Sequence, residues 1–479
     1  MPTPPAWGPG DGQAGEGPPA WATRGPWPPP PLPPTQPLPP LPPAPRPRRA
    51  GWVLAVVVLL AAALVAGLMA LLPGVRVEPA PRPAAQGTAA RAAGAQATAD
   101  PRTEVPKLLA KRASAVLHGD RAAFLATVDP RRRTYYRKQA RLFASMRTVP
   151  FSAIEFQVTD PRNWASGSIR RRYAPDRVYL PHVQLRYRFK GQDASPVLGR
   201  LSYIFVLTRS GWRIGGQDDA RDDVQIWDGG PVRTLRSERT LVVYHPGSER
   251  LAGRLLQAAE RGYGEVAATW TGRWEGKVVI LVPRDQNEAE ELVDARDLSP
   301  IAALSASSVE SGPGGRVLGN RIVVNSTVLA PYLDVDLQNV VTHEMTHVAT
   351  RTLGNVPLFL VEGFAEYTAL RPYRRFALWR TRPALAERVD AGRFDGRLPS
   401  AAELRGRDGV VAYDEASTFC LWVAERYGEG RLRELYRVFG GAGPPSATGL
   451  DLGFREVLGV SRRTAEARWA AWVRPRLRR

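Results

Sequence analysis

The sequence predicts an α+β protein carried on a single transmembrane helix. A small α+β cone domain follows the helix, and then a larger α+β domain with a helical C-terminal part. Three observations lead there. An uncharged apolar run, Gly51 to Leu72, covers 22 residues, long enough to cross a bilayer as a helix. Between residues 103 and 232, helical patterns give way to strand-like alternation. Beyond residue 233, strands alternate with helices and then yield to helices alone. A length of 479 residues accommodates two or three such domains.

Residues 1–50 hold 20 of the 45 prolines, in runs such as Pro28-Pro29-Pro30-Pro31. Such a segment cannot bury enough apolar surface to pack, so an extended, disordered arm is expected. Arg46, Arg48 and Arg49 directly precede the apolar run, and Trp52 stands at its start as an interface anchor. The positive-inside rule then places residues 1–50 in the cytoplasm and the rest outside, at the plasma membrane. The run is longer than the apolar region of a signal peptide, which favours an uncleaved single-pass anchor over a leader. Residues 73–102, rich in Ala, Pro, Gly and Arg, read as a flexible linker.

In the segment 103–232, Val105–Leu117 and Arg121–Val128 carry helical periodicity, with Leu108, Leu109, Val116, Leu117, Phe124 and Leu125 facing inward. Val178–Phe189, Leu198–Thr208 and Trp212–Gly215 alternate as strands. From 233 onward, Thr240–Tyr244, Lys277–Val282, Ala303–Val309 and Asn320–Val324 read as strands, and Glu249–Thr269 and Gln286–Val293 as helices. The C-terminal third predicts helices over Ala384–Ala391, Ala416–Tyr427, Arg431–Phe439 and Thr464–Arg476. His118, His182 and His245 stand alone in the sequence and are expected to be structural or surface residues.

The chemistry is concentrated in His343-Glu344-Met345-Thr346-His347. Leu337, Val340, Val341 and Val348 recur around it at helical spacing, after the capping candidates Asp334 and Asp336. On a helix His343 and His347 lie one turn apart and point the same way. Two imidazoles on one face can grip a single Zn²⁺, and Glu344 beside them is placed to polarise a water. A catalytic zinc needs a third protein ligand, and Glu362, on a second helix that Pro357 can start, is the best candidate. Glu366, one turn beyond, can hydrogen-bond a ligand histidine from behind.

These residues resemble a known family. His343-Glu344-x-x-His347, followed by Phe359-Leu360-Val361-Glu362-Gly363-Phe364-Ala365-Glu366-Tyr367, is similar to the gluzincin zinc metallopeptidases, in particular the peptidase MA-like domains. The resemblance implies zinc ligands His343, His347 and Glu362, a general base Glu344, and hydrolysis of peptide bonds in peptide or protein substrates. It implies that Tyr413, in Val411-Ala412-Tyr413-Asp414-Glu415-Ala416, stabilises the tetrahedral intermediate. It also implies an edge strand that pairs with extended peptide, which by position would be Arg321–Asn325; an ordinary interior strand is the equal alternative for these residues. The spacer after His347 is shorter than in the aminopeptidases, Phe359 replaces a tryptophan, and no G-x-M-E-N element is present. Leu117-His118-Gly119-Asp120-Arg121-Ala122-Ala123-Phe124-Leu125 resembles the nuclear transport factor two-like or SnoaL-like fold, which implies nothing about function.

Composition bounds the partners. Lys plus Arg is 66 against 46 Asp plus Glu, a net charge of +20. That excess favours acidic surfaces such as an envelope or wall component; without a recognised motif, nucleic acid is not an expected partner. The single cysteine, Cys420, rules out an intrachain disulfide and sits in an apolar run that suits a buried structural thiol. The rival to a membrane-anchored zinc metallopeptidase is a catalytically inactive, peptidase-like scaffold at the cell surface.

Overall fold

A computed structural model describes residues 100–478, save 219–221, 296–297, 299–300, 310–316, 407–408 and 442–445. The expected arm, the apolar run Gly51–Leu72 and nearly all of the linker lie outside the described residues. The transmembrane helix of the expected architecture is therefore corrected: among the described residues no helix is long and apolar enough to cross a membrane. The most apolar helix, Leu358–Leu370, has 13 residues, about 20 Å at 1.5 Å per residue against a bilayer core of about 30 Å. The longest, Glu249–Thr269, carries Arg254, Glu260, Arg261 and Glu265 along its length.

The N-terminal part opens with α1 (Pro101–His118), α2 (Arg121–Ala126) and α3 (Arg133–Met146). Asp100 and Asp120 cap α1 and α2 by accepting backbone N–H groups, and Gly119 ends α1 in the left-handed conformation that favours glycine. Next come β1 (Phe151–Asp160), α4 (Gly167–Tyr173), β2 (Val178–Tyr179), β3 (His182–Phe189), β4 (Val197–Leu201), β5 (Tyr203–Thr208) and β6 (Gly211–Gln217). They form two antiparallel three-stranded sheets, β1-β3-β4 and β2-β5-β6. The expected strand Val178–Phe189 is split at Leu180-Pro181, where proline removes a ladder donor. The stretch 133–173, to which the sequence pattern assigns no element, holds α3, β1 and α4.

The second part contributes β7 (Arg233–Arg236), β8 (Thr240–Tyr244), α5 (Glu249–Thr269), β9 (Val278–Val282), α6 (Gln286–Val293), β10 (Ala303–Val309) and β11 (Val317–Val324). The strands make one sheet in the order β10-β11-β9-β8-β7. Strands β8, β9 and β11 run parallel, with antiparallel β10 and β7 at the edges. After the short α7 (Ser326–Leu329) come α8 (Asp334–Thr350), α9 (Leu358–Leu370), α10 (Leu378–Thr381), α11 (Pro383–Asp390) and α12 (Ala401–Leu404). The chain closes with α13 (Gly409–Tyr427), α14 (Glu429–Gly441), α15 (Ala447–Leu458) and α16 (Arg462–Leu477).

Both faces of the central sheet are covered, which explains why its inner strands read as unbroken apolar runs. Val242, Ile280, Val282, Ile322 and Val324 face the helices, in one core with Leu337, Val341 and Phe364. Their neighbours Leu241, Val243, Val279, Leu281 and Val323 point the opposite way, into one core with Phe143, Tyr187, Phe189 and Trp227 of the N-terminal part. The expected domain boundary at 232/233 thus falls between strands but not between cores. The N-terminal part is the second wall of the five-stranded sheet.

Arg321 fastens this contact. The sequence leaves its strand as either an edge open to peptide or an ordinary interior strand, and the structure gives the second: β11 is interior and β10 is the edge. Arg321 is buried, donates twice to Asp193 at 2.8 Å, and lies over the rings of Phe189 and Tyr187. Lys277 Nζ adds a bond to the Gly191 carbonyl at 2.6 Å. Removing one partner of a buried pair leaves an uncompensated charge. Arg321→Ala is therefore expected to lower unfolding free energy by about 3–5 kcal/mol, read as a lower denaturant midpoint, and a shift below about 1 kcal/mol would show that the pair is not buried as described.

Candidate metal centre

Helix α8 carries the two histidines. Asp336 in its first turn reaches back to the Leu333 N–H, and both Asp334 and Asp336 suit the positive end of the helix. Leu337, Val341, Met345 and Val348 bury one face of α8 against the sheet core, which turns His343 and His347 to the side that meets α9. Helix α5 runs close behind. A Cβ at Gly262 would stand 2.3 Å from Thr342 Oγ1, so only glycine permits this approach next to His343.

Helix α9 begins after Pro357 and presents Glu362 and Glu366 on one face. Gly363 lies between them in sequence, and a Cβ there would meet the Ala416 carbonyl oxygen at 2.5 Å. That glycine lets α13, with Tyr413, close against α9. The far end of α9 is fixed by charge. Arg371 donates to Glu265 of α5 at 3.0 Å and to Glu429 of α14 at 3.1 Å, and Tyr367 donates to Glu429 at 2.8 Å.

The predicted residues come together. His343 Nε2 and His347 Nε2 are 3.1 Å apart, and each lies near Glu362 Oε2, at 3.2 and 3.4 Å. Among the described residues these three form the group able to hold a metal ion. Zinc bound tetrahedrally at about 2.0–2.2 Å spaces its nitrogen and oxygen donors about 3.3 Å apart, so the separations here match a tetrahedron's edges. Glu366 Oε2 stands 3.2 Å from His343 Nδ1, the partner that fixes a ligand histidine's tautomer. With Nδ1 donating to Glu366, the neutral ring keeps its lone pair on Nε2, facing Glu362 and His347.

Three polar atoms this close need a proton or a cation among them. The titration of the site says the same. Burial disfavours a charged His343, yet hydrogen bonds to Glu362 and Glu366 and the charge of Glu344 outweigh it and raise the ring well above its ordinary value. Burial opposes ionisation of Glu362 too, but His347 and His343 hold its carboxyl far below the usual range. Glu344 is buried, and that burial raises its carboxyl, against the opposing charges of His347 and His343 and a hydrogen bond from Ser305 on β10. Glu344 therefore faces the edge strand β10.

Tyr413 lies in the first turns of α13, its ring 6.2 Å from that of His343. Burial, with the charges of Glu362, Glu344 and Glu366, keeps its phenol protonated, well above the ordinary value. The remaining histidines lie elsewhere. His118 contacts the Ser114 carbonyl at the exposed end of α1, and His182 stacks on Trp164. His245 has partners the sequence did not reveal: Nδ1 meets the Pro231 carbonyl at 2.8 Å and Nε2 the buried Glu288 at 2.9 Å. Cys420 is fully buried, which alone pushes its thiol up.

Sequence reasoning missed a second group beside the site: buried Arg382, Asp414, Glu415 and Ser417. Only the adjacency of Asp414 and Glu415 to Tyr413 hinted at them. No family model matches this chain, and no curated protein matches it significantly.

Burial pushes the Glu415 carboxyl from 4.5 up to about 8, against the pull of Arg388 at 3.6 Å. Folded Glu415 binds its proton more tightly than the unfolded chain does. Its contribution is complete below the ordinary value of 4.5 and is lost as pH rises through about 8. Glu415→Gln is therefore expected to melt close to wild type at about pH 4 and increasingly above it as pH rises to about 8, beyond which the difference levels off. A difference in melting temperature that does not change with pH would refute the shift.

Proposed function

We propose that the chain is a zinc-dependent metallopeptidase of gluzincin type, hydrolysing peptide bonds in peptide or protein substrates. The observation that carries the reading is the convergence of His343, His347 and Glu362 at tetrahedral spacing, with Glu344 one residue from the first histidine. Zinc in that set supplies Lewis acidity and an activated water nucleophile at neutral pH. Glu344, its basicity raised by burial, takes the proton of the attacking water and passes it to the leaving amine nitrogen. The Tyr413 hydroxyl donates to the oxygen that gains charge as the carbonyl carbon becomes tetrahedral. Glu366 keeps His343 in the tautomer that offers Nε2 to the metal. Strand β10 offers an edge beside Glu344 on which an extended substrate can be aligned through its main chain.

Metal analysis of the full chain, with digestion of a peptide library, tests this reading. About one zinc per chain and peptide cleavage are expected. Bound zinc without cleavage of any peptide would leave a non-catalytic metal site instead. Glu344→Gln should retain zinc and lose roughly 100-fold or more in kcat, whereas His343→Ala should lose the metal. Peptide hydrolysis at the wild-type rate by Glu344→Gln would remove the assigned base. Tyr413→Phe should lower kcat by about 100-fold with little change in KM.

A further inference from the structure

We propose that Arg382 is a positioning residue for this site: it clamps the turn of α13 that carries Tyr413 and so holds the phenol beside His343 and Glu362. The inference rests on the metallopeptidase reading above. Arg382 lies at the junction of α10 and α11 and is 4% exposed. A guanidinium keeps its charge at any accessible pH, so burial requires fixed partners. Nε donates to Ser417 Oγ at 2.8 Å and lies 3.8 Å from Asp414 Oδ1, and Nη1 donates to the Thr381 carbonyl at 3.0 Å.

The partners are themselves tied together. Asp414 Oδ2 accepts the Leu385 N–H in the first turn of α11 at 3.2 Å, and Ser417 Oγ donates to the Asp414 carbonyl at 3.2 Å. Asp414 follows Tyr413 directly and Ser417 lies one turn beyond it, so displacement of this turn carries the phenol with it. Two contacts therefore locate the turn. Gly363 of α9 sets how closely Ala416 approaches, and Arg382 sets its position relative to α11. The charge of Arg382 also reaches Glu366, the residue behind His343. One cation is thus coupled to both the metal-ligand side and the oxyanion side of the site, and it touches no reacting atom.

The test uses the zinc-loaded full chain. Arg382→Gln is expected to keep about one zinc and lose about 10- to 100-fold in kcat, with KM within about twofold. Arg382→Lys, which keeps the charge, should recover most of that loss. Because Arg382 acts through Tyr413, Arg382→Gln with Tyr413→Phe should be no slower than Tyr413→Phe alone. Ser417→Ala, which removes one bond of the clamp and leaves the charge, should lower kcat several-fold in the same sense even where Arg382→Gln folds poorly. Hydrogen exchange supplies a readout apart from turnover: amides of residues 413–417 should exchange faster in Arg382→Gln, and those of 343–347 at the wild-type rate. Unchanged kcat in the single variants, losses that multiply in the double variant, or unchanged exchange at 413–417 would each overturn the proposal. A zinc-loaded wild type that cleaves no peptide would instead refute the hydrolase reading, and the exchange comparison would still decide whether the clamp exists.

Discussion

The convergence of three metal-ligating side chains from two helices is the constraint around which the helical half of this protein is arranged. Two imidazole nitrogens and a carboxylate oxygen stand within 3.4 Å of one another. Both imidazoles attract the Glu362 carboxylate, and the helices that carry the three groups are fixed from behind. Glu366 orients His343, Thr342 packs on Gly262 of α5, and Arg371 with Glu429 and Glu265 anchors the end of α9. The site is preorganised by interactions that do not involve its own electron pairs, which is the condition for a cation to bind without first rearranging the protein.

The five-stranded sheet gives those helices a rigid floor, and the N-terminal part makes the floor rigid. A sheet buried on one face only would carry alternating polar residues. Here Leu241, Val243, Val279 and Leu281 are apolar because Tyr187, Phe189 and Trp227 lie on them. The buried Arg321–Asp193 pair adds direction to an otherwise non-directional contact. The link to the site is short. Strand β11, which holds Arg321, is hydrogen-bonded to β10, whose Ser305 meets Glu344. The N-terminal part is therefore linked to the candidate site through the position of an edge strand, and none of the site residues described above comes from it.

What was legible in the sequence, and what was not, follows from the range of each interaction. His343 and His347 are related by a single helical turn, so local periodicity alone puts them on one face. Glu362 and Glu366 repeat that relation on α9. Tyr413 was reached only through resemblance, because nothing local ties residue 413 to residue 343. Arg382, Asp414 and Ser417 could not be read at all: their significance lies in contacts between three helices, and arginine is too common in this chain to mark one as buried. The same limit left the edge strand open. Strand order depends on which partner each strand finds, and local residue pattern does not fix that partner. The transmembrane expectation had a different basis, the composition of a stretch outside the described residues, and the helices that are described are too short or too charged to serve.

The desolvation that makes this site costly to build also sets the protonation states it needs. Tyr413 lies close to three carboxylates, and burial with their charges raises its phenol. Glu344 is raised by the same burial, against the pull of His347 and His343. Glu362 and Glu366 sit against imidazoles and are lowered instead, so they stay anionic and able to face a cation. One low-dielectric pocket thus separates four similar side chains into donor, base and anions by what each touches. Arg382 belongs to that division as its fixed positive charge, set beside Asp414, whose carboxyl burial pushes up to about 7. The charge of Arg382 pulls that carboxyl back down, so an arginine bonded to the turn beside it does more than hold a helix: it favours the ionised form of the acid that follows Tyr413.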